Sequence, residues 1–279
     1  MTAGNAGSAN SSRTYYEQLL DELAALRPRT AAALGAGHQR RQALLTKLLQ
    51  GARLAGIEEL LLHLDRLHGI WSADPGLNRL AFLIDRLTSD FETALEATLS
   101  GYFSVAADAM RDVMEIEYLL LDFLADKQQV DKWLSADDKT LRREFAPAAV
   151  RKRLHKAGVR PFETSDQAND YAAHSAALHA TPASRNHPLA GKGRLAEDSY
   201  PLDDAGFWEI FQHTRRIIIA LMASGQVLAH EPARIPKDAL TAAGDAWRRT
   251  QEIQDSYLSV LTQVGAVGRT PPVGGDQQP

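Results

Sequence analysis

Apolar residues recur at steps of three and four along residues 77–133, the longest such pattern in the chain. Steps of this size place the apolar side chains on one side of an α-helix. The pattern predicts one nearly unbroken helix of about sixteen turns from Leu77 to Trp133. Beyond Gly101, a second apolar stripe lies on the far side of this helix and consists of Phe103, Ala107, Met114, Tyr118 and Leu121. We therefore expect a central helix whose second half has neighbours on two sides.

Shorter helices are predicted before and after this central helix. The first begins at a cap provided by Ser11 or Ser12 and ends before Pro28, and the second follows a break at Gly35–Gly37. The later predicted helices cover residues 127–134, 147–157, 164–180, 203–229 and 236–264, with a cap at Asp203 or Asp204 for the fourth of these. A loop of about 20 residues before this fourth helix is longer than most connections in compact domains.

The fold class predicted from these elements is all-α, a helical bundle around one long central helix. No segment alternates apolar and polar residues as a strand does, and no internal repeat is present. We expect one domain over residues 13–264. Residues 1–12 are mainly Gly, Ala, Asn and Ser, and residues 265–279 are rich in Gly, Pro and Gln, so both tails are predicted to be disordered.

Composition excludes several kinds of site. The chain has no cysteine, which rules out disulfides, thiolate catalysis and cysteine-based zinc sites. Its N-terminus has neither the basic start nor the apolar run of a signal peptide, and the most apolar segment, 217–229, is shorter than a membrane span. A cytoplasmic location without membrane association is therefore expected, and no cofactor is predicted.

Charge is distributed unevenly, although the net charge is only −4. Residues 139–160 contain eight Lys or Arg residues and only Glu144 as an acid, whereas residues 108–126 contain six acids and only Arg111 as a base. A net negative charge argues against a protein that coats nucleic acid generally. The basic stretch, with Arg151, Arg153 and His155, remains a candidate anion-binding surface, and pairing with the acidic stretch is the alternative.

Arg111 and Glu115 lie four residues apart at the edge of the second apolar stripe. Side chains at this spacing on a helix can touch, and charged groups near apolar stripes need partners because burying a lone charge is costly. A structural ion pair or a solvated helix edge explains this pair simply. A functional site is the alternative hypothesis, because perturbed charges also occur at catalytic centres.

Tyr171, Ser175 and His179 follow one another at steps of four, so one helix face carries a phenol, a hydroxyl and an imidazole. This face is a candidate pocket for an anion or a nucleic acid, with histidine acting as acid or base. The simpler interpretation is a helix end whose hydroxyls bond to the backbone.

Two Glu–His pairs raise the question of a metal site. Glu59 and His63, and likewise Glu209 and His213, lie four residues apart. Di-iron helical bundles instead use a Glu-x-x-His step of three. These pairs are therefore interpreted as salt bridges or hydrogen bonds, and no metal site is predicted. Phosphate-binding glycine loops and hydrolase or metalloprotease motifs are also absent from the sequence.

The pattern of Gly101, Ala106, Arg111-x-x-x-Glu115, an acidic stretch with Trp133, and Tyr171-x-x-x-Ser175-x-x-x-His179 resembles a group of uncharacterised bacterial all-helical proteins. The resemblance covers roughly residues 90–190. It implies that the Arg and Glu of one helix meet the Tyr, Ser and His of another. Such proteins are similar in architecture to HEPN-type helical nucleases, which place Arg and His on one helix with four to six residues between them. No Arg in this sequence has a His at that spacing.

Two functions follow as expectations. The first is a helical binding or regulatory module of unknown ligand, without catalysis of its own and compatible with self-association. The alternative is a HEPN-like, RNA-acting nuclease or defence protein, with a pocket formed between helices by Arg111, Glu115, Tyr171, Ser175 and His179. Whether the chain is an enzyme stays open at this point.

Overall fold

The computed structural model describes residues 14–49, 52–159, 171 and 200–229, together with Arg248 and Glu252. These residues form α-helices and no strand, so the predicted all-α class is confirmed for them. The helices are α1 (Tyr15–Leu26), α2 (Pro28–Leu48), α3 (Ala52–Ala73), a 3-10 turn at Asn78–Leu80, α4 (Phe82–Ser100), α5 (Phe103–Ala125), α6 (Gln128–Leu134), α7 (Asp138–Glu144), α8 (Pro147–Lys156) and α9 (Tyr200–Ala229).

Several predicted segments lie outside the described residues. They are the two terminal tails, the loop after residue 180, and the helices predicted over residues 164–180 and 236–264, apart from Tyr171, Arg248 and Glu252, which are helical. None of the helices in the described ranges is long and apolar enough to cross a membrane.

The long helix predicted over residues 77–133 is wrong, because the chain turns back at Gly101. Gly101 has a left-handed backbone with φ 80° and ψ 18°, and its N–H donates to the carbonyls of Ala97 and Thr98. The Tyr102 N–H also donates to the Ala97 carbonyl at 2.7 Å, which completes a Schellman motif, the usual way for a helix to end at glycine. α5 then runs back along α4, so that Arg86 of α4 pairs with Asp112 of α5.

The enclosure predicted for the second half of this stretch is confirmed for α5. Its first apolar face joins the main core with α3, α4 and α9, where Met110, Val113 and Leu120 are buried. Its opposite face carries Met114 and Tyr118, which pack with Val150 and Leu154 of α8 in a second, smaller core. The central element of the described bundle is therefore α5 alone, between α4 and α9 on one side and α8 on the other.

Other helix boundaries also differ from the prediction. Thr14, not Ser11 or Ser12, caps α1, because its hydroxyl accepts from the Glu17 N–H while the Glu17 carboxylate accepts from the Thr14 N–H. α9 begins at Tyr200, so Asp203 and Asp204 lie inside the helix and do not cap it.

The break predicted at Gly35–Gly37 is absent, because α2 continues through both glycines. Glycine inside a helix costs only about 1 kcal/mol relative to alanine, which packing can offset. At Gly37 the close approach of Tyr102 favours glycine, since an added Cβ would lie 2.8 Å from the Tyr102 hydroxyl and would force that side chain to move. The single helix predicted between this break and the central helix is divided between α2 and α3. Also, α7 was not predicted.

Candidate functional site

The Arg111–Glu115 pair lies on α5 and is half-buried. Arg111 Nη2 lies 3.2 Å from a carboxylate oxygen of Asp108, and Arg111 Nε lies 3.8 Å from Glu115 Oε1. The side chains of Arg111 and Glu115 keep 28% and 32% of their exposure. Because Arg111 is held between two carboxylates one turn away on either side, its charge is balanced within its own helix.

Tyr171 reaches this pair from another part of the chain. Its hydroxyl donates to Glu115 Oε1 at 2.7 Å, and its ring lies 6.1 Å from the ring of Tyr118. The Arg151 guanidinium of α8 stands over the Tyr171 ring at 4.7 Å, within range of a cation–π interaction. Burial, together with the bond to Glu115 and its negative charge, raises the pKa of Tyr171 to about 12. The phenol is therefore a hydrogen-bond donor at neutral pH.

Of the five predicted pocket residues, the structure brings together Arg111, Glu115 and Tyr171. Ser175 and His179 lie outside the described residues. The half of the pocket that would supply a hydroxyl and an imidazole therefore stays a prediction.

A carboxyl pair that was not predicted lies next to this group, between α4 and α5. Asp112 accepts two hydrogen bonds from Arg86, one at 2.5 Å from Nε and one at 2.6 Å from Nη2. Asp90 faces the same Asp112, and its Oδ2 atom is buried without a hydrogen-bond donor. Burial and the neighbouring Asp112 raise the pKa of Asp90 to about 8. When Asp90 is protonated, its hydroxyl can donate a hydrogen bond to Asp112, so the two carboxyl groups no longer repel each other.

Sequence reasoning missed the Asp90–Asp112 pair because the two residues lie 22 positions apart. They meet only if the chain folds back near Gly101. The available signal was Gly101 itself, since glycine directly after an apolar helical run is a common helix end.

The three candidate anion-binding residues of α8 have different surroundings. Arg153 donates to both carboxylate oxygens of the buried Asp122, with Nε–Oδ1 at 3.0 Å and Nη2–Oδ2 at 2.5 Å, and also to the Glu144 carbonyl. Arg151 covers the tyrosine rings, whereas His155 is exposed. Arg153 thus joins α8 to α5, as expected if the basic and acidic stretches pair with each other. An anion site at these three residues stays a prediction.

A second group of cations lies on α7. Lys139, Arg142 and Arg143, with Asp138, line an open concavity of about 480 Å³. Arg143 bonds to Glu144 at 2.5 Å, and Glu144 also accepts from Lys132 of α6. These two cations lower the pKa of Glu144 to about 2. Lys139 and Arg142 form no ion pair with any other residue in the described ranges. We call Lys139, Arg142 and Arg143 the α7 patch.

Of the two Glu–His pairs, the structure describes both side chains only for Glu59 and His63. His63 is fully buried, and its Nε2 lies 3.9 Å from Glu59 Oε2. His213 is buried as well, whereas the Glu209 side chain is outside the described set. No three His, Asp or Glu side chains among the described residues are arranged to hold a metal ion.

Taken together, the charges around Arg111 are balanced by neighbouring groups, while its Nε atom is buried without a hydrogen-bond partner. Arg111 has Asp108 and Glu115, Glu115 has Tyr171, and Asp112 has Arg86. A network with matched charges stabilises the contact between helices, whereas unpaired cations on a concave surface are available to an anion. The α7 patch is therefore the better candidate for ligand binding.

Comparison with known proteins gives no match to a family, a curated protein or a solved structure. The resemblance to bacterial helical proteins and to HEPN-type architecture accordingly stays a prediction.

Proposed function

We propose that the protein is a non-catalytic binding module whose α7 patch docks onto the phosphate backbone of nucleic acid. The observation that carries this proposal is the concavity on α7, which is lined by three cations and one acid. Two of these cations, Lys139 and Arg142, form no ion pair with any other described residue. Lysine and arginine in such a surface attract phosphates and release the counterions of the nucleic acid. The following helix adds further exposed cations at Lys152 and Lys156.

The absence of catalysis is supported by the pairing around Arg111. A general acid or base must be able to exchange its proton with a substrate. Glu115 instead accepts a hydrogen bond from Tyr171 and lies 3.8 Å from Arg111 Nε, and the raised pKa of Tyr171 keeps its proton in place. We assign these residues to the stability of the bundle.

The test is fluorescence anisotropy with a labelled nucleic acid, titrated between about 50 and 200 mM salt. The full chain is compared with Lys139→Ala/Arg142→Ala and with the control Arg29→Ala/Arg66→Ala, which removes the same charge from exposed positions on α2 and α3. We expect the α7 variant to lose about tenfold in affinity and to lower the slope of log K against log salt by about 1.5 to 2. Equal losses in both variants, or no binding at the lowest salt, would contradict the proposal.

A second candidate function is supported by the contact between Glu115 and Tyr171, which places one predicted pocket residue against another. In this RNA-acting nuclease, Arg111 and His179 would act on a phosphodiester between the helices. Incubation of the purified chain with RNA tests it. Cleavage that disappears in both Arg111→Ala and His179→Ala would favour the nuclease over the non-catalytic module.

Location and self-association belong to the same proposal. We also propose a cytoplasmic location, with which a chain without cysteine is compatible. Self-association stays a prediction, and light scattering of the full chain measures it directly.

A further inference from the structure

We propose that Phe82 and Trp133 form a platform on which a base of single-stranded nucleic acid stacks, beside the α7 patch. This inference rests on the proposed function and specifies its ligand. The two rings are nearly parallel, with an interplanar angle of 6° and centroids 5.9 Å apart. Phe82 is 48% exposed, whereas every other phenylalanine among the described residues is buried.

The platform packs on a buried aromatic ring of the core. Trp133 is half-buried and packs on the fully buried Phe123. The centroids of these two rings lie 5.6 Å apart, and the rings are tilted by 52°. Phe82 lies on the outside of this series of rings, at the first residue of α4. An aromatic ring fixed by packing loses little freedom when a ligand stacks on it, so an exposed ring of this kind suits a flat partner.

The platform and the α7 patch are joined by α6. Lys132, next to Trp133 in the chain, pairs with Glu144 at the end of α7, and Glu144 also bonds to Arg143 of the patch. α7 is only about 10 Å long and lies close behind α6 in the chain, so we place the α7 patch and the platform within reach of one strand of a few nucleotides.

Cations combined with an exposed aromatic ring match the chemistry of a single strand. Phosphates contact the cations, while unpaired bases are free to stack on the ring, and every base has a face suited to this. In a duplex the bases are stacked on one another and cannot reach such a platform. The affinity for a single strand should therefore depend on Phe82, whereas the affinity for a duplex should not.

The experiment compares a single-stranded RNA of about 12 nucleotides with a duplex of the same sequence, both measured by anisotropy with the full chain. Phe82→Leu keeps an apolar side chain at this half-exposed position but removes the ring. The matched control is Tyr102→Leu, which removes a similarly exposed aromatic side chain at the turn between α4 and α5. We expect Phe82→Leu to lower single-strand affinity about 5- to 100-fold and to leave duplex affinity within about twofold.

Tryptophan fluorescence gives a second readout. Stacking on the platform is expected to change the emission of Trp133, and Trp133→Phe keeps an aromatic pair while removing that signal. Single-stranded RNA should therefore change the emission of the parent chain more than that of Trp133→Phe. This difference reports stacking on the platform.

The outcomes separate this inference from the proposed function. If Phe82→Leu binds single strands as well as the parent while Lys139→Ala/Arg142→Ala does not, the platform is wrong and the docking surface stands. If Phe82→Leu weakens single strand and duplex equally, stacking is likewise contradicted. If the parent chain binds neither nucleic acid, both proposals fail.

Discussion

At the scale of single residues, Glu115 is the point where α5 meets Tyr171. It accepts the phenol hydrogen at 2.7 Å and lies 3.8 Å from Arg111. A hydrogen bond to a charged acceptor contributes more than one between neutral groups, although partial exposure to water reduces this contribution. The contact between Tyr171 and Glu115 therefore contributes modestly to stability and, after burial, to the raised pKa of the phenol.

We expect Tyr171→Phe to lower the free energy of unfolding by about 1 kcal/mol, because it removes one partly exposed hydrogen bond and keeps the ring. Denaturant unfolding of Tyr171→Phe, Glu115→Gln and the double variant gives the coupling free energy between the two side chains. Ultraviolet difference titration should show that the pKa of Tyr171, about 12 in the parent, is lower in Glu115→Gln, while burial still keeps it above its ordinary value. Additive losses and an unchanged titration would mean that the contact is absent in solution.

The sequence predicted part of this site for a physical reason. The spacing of Arg111 and Glu115 fixes their contact, because residues four apart on a helix are neighbours whatever the rest of the chain does. Spacing carries no comparable information about Asp90 and Asp112, or about Tyr171 and Glu115. Those contacts depend on how separate helices pack.

At the scale of elements, Gly101 decides how the middle of the chain folds. Its φ of 80° lies in the left-handed region, which side chains disfavour. The apolar pattern hid this turn because α4 and α5 both face the same core. Helical periodicity shows which face of a segment is buried and does not show whether the helix axis continues.

Three alanine substitutions isolate the contribution of this turn. We expect Gly101→Ala to lower the free energy of unfolding by about 1 to 2 kcal/mol from backbone strain alone. A further loss follows because the new Cβ would lie 2.7 Å from Arg40 Nε. Gly158 also has a left-handed backbone, with φ 68°, but nothing lies near an added Cβ. Gly158→Ala should therefore show only the loss that comes from backbone strain.

Gly69→Ala completes the set, since Gly69 lies inside α3 with nothing within 4 Å of an added Cβ. This variant should gain about 0.5 to 1 kcal/mol, because alanine favours a helix over glycine. Thermal or denaturant unfolding measures all three. A Gly101→Ala loss no larger than that of Gly158→Ala would show that Arg40 moves aside without cost.

The link between α8 and α5 depends on Arg153. Asp122 is almost fully buried, with 4% side-chain exposure, and receives two bonds from this arginine. Arg153→Met leaves that carboxylate without its partner and should cost about 2 to 4 kcal/mol in unfolding free energy. Arg143→Met is the control, because Arg143 is 63% exposed and its pair with Glu144 should contribute little to stability. Similar losses in the two variants would contradict a structural role for Arg153.

At the scale of the whole molecule, two buried groups make stability depend on pH in opposite directions. Burial, with the charge of Arg66, lowers the pKa of His63 from 6.5 to about 4. The unfolded chain then binds a proton that the folded chain does not, so between pH 4 and 6.5 this histidine makes stability rise with pH. Asp90 behaves inversely: its pKa rises from 3.8 to about 8, the folded chain holds the extra proton, and stability falls with pH in between.

Between pH 4.5 and 6.5 the two contributions have equal and opposite slopes, since each group exchanges one proton. Above pH 6.5 both states of His63 are neutral, so only the Asp90 contribution remains. The unfolding free energy of the parent chain should therefore lose about 1 to 2 kcal/mol between pH 6.5 and 8, relative to Asp90→Asn, which has no carboxyl group to titrate.

His63→Gln should show the complementary behaviour, with stability already falling between pH 4.5 and 6.5, because the opposing histidine has been removed. The full His63 contribution is about 3 kcal/mol across its window. Denaturant unfolding at several pH values for the parent and both variants measures the three slopes. Parallel curves for parent and Asp90→Asn would mean that Asp90 is ionised at neutral pH. The carboxyl pair between α4 and α5 would then be separated by solvent, and the close packing of the hairpin at that point would be wrong.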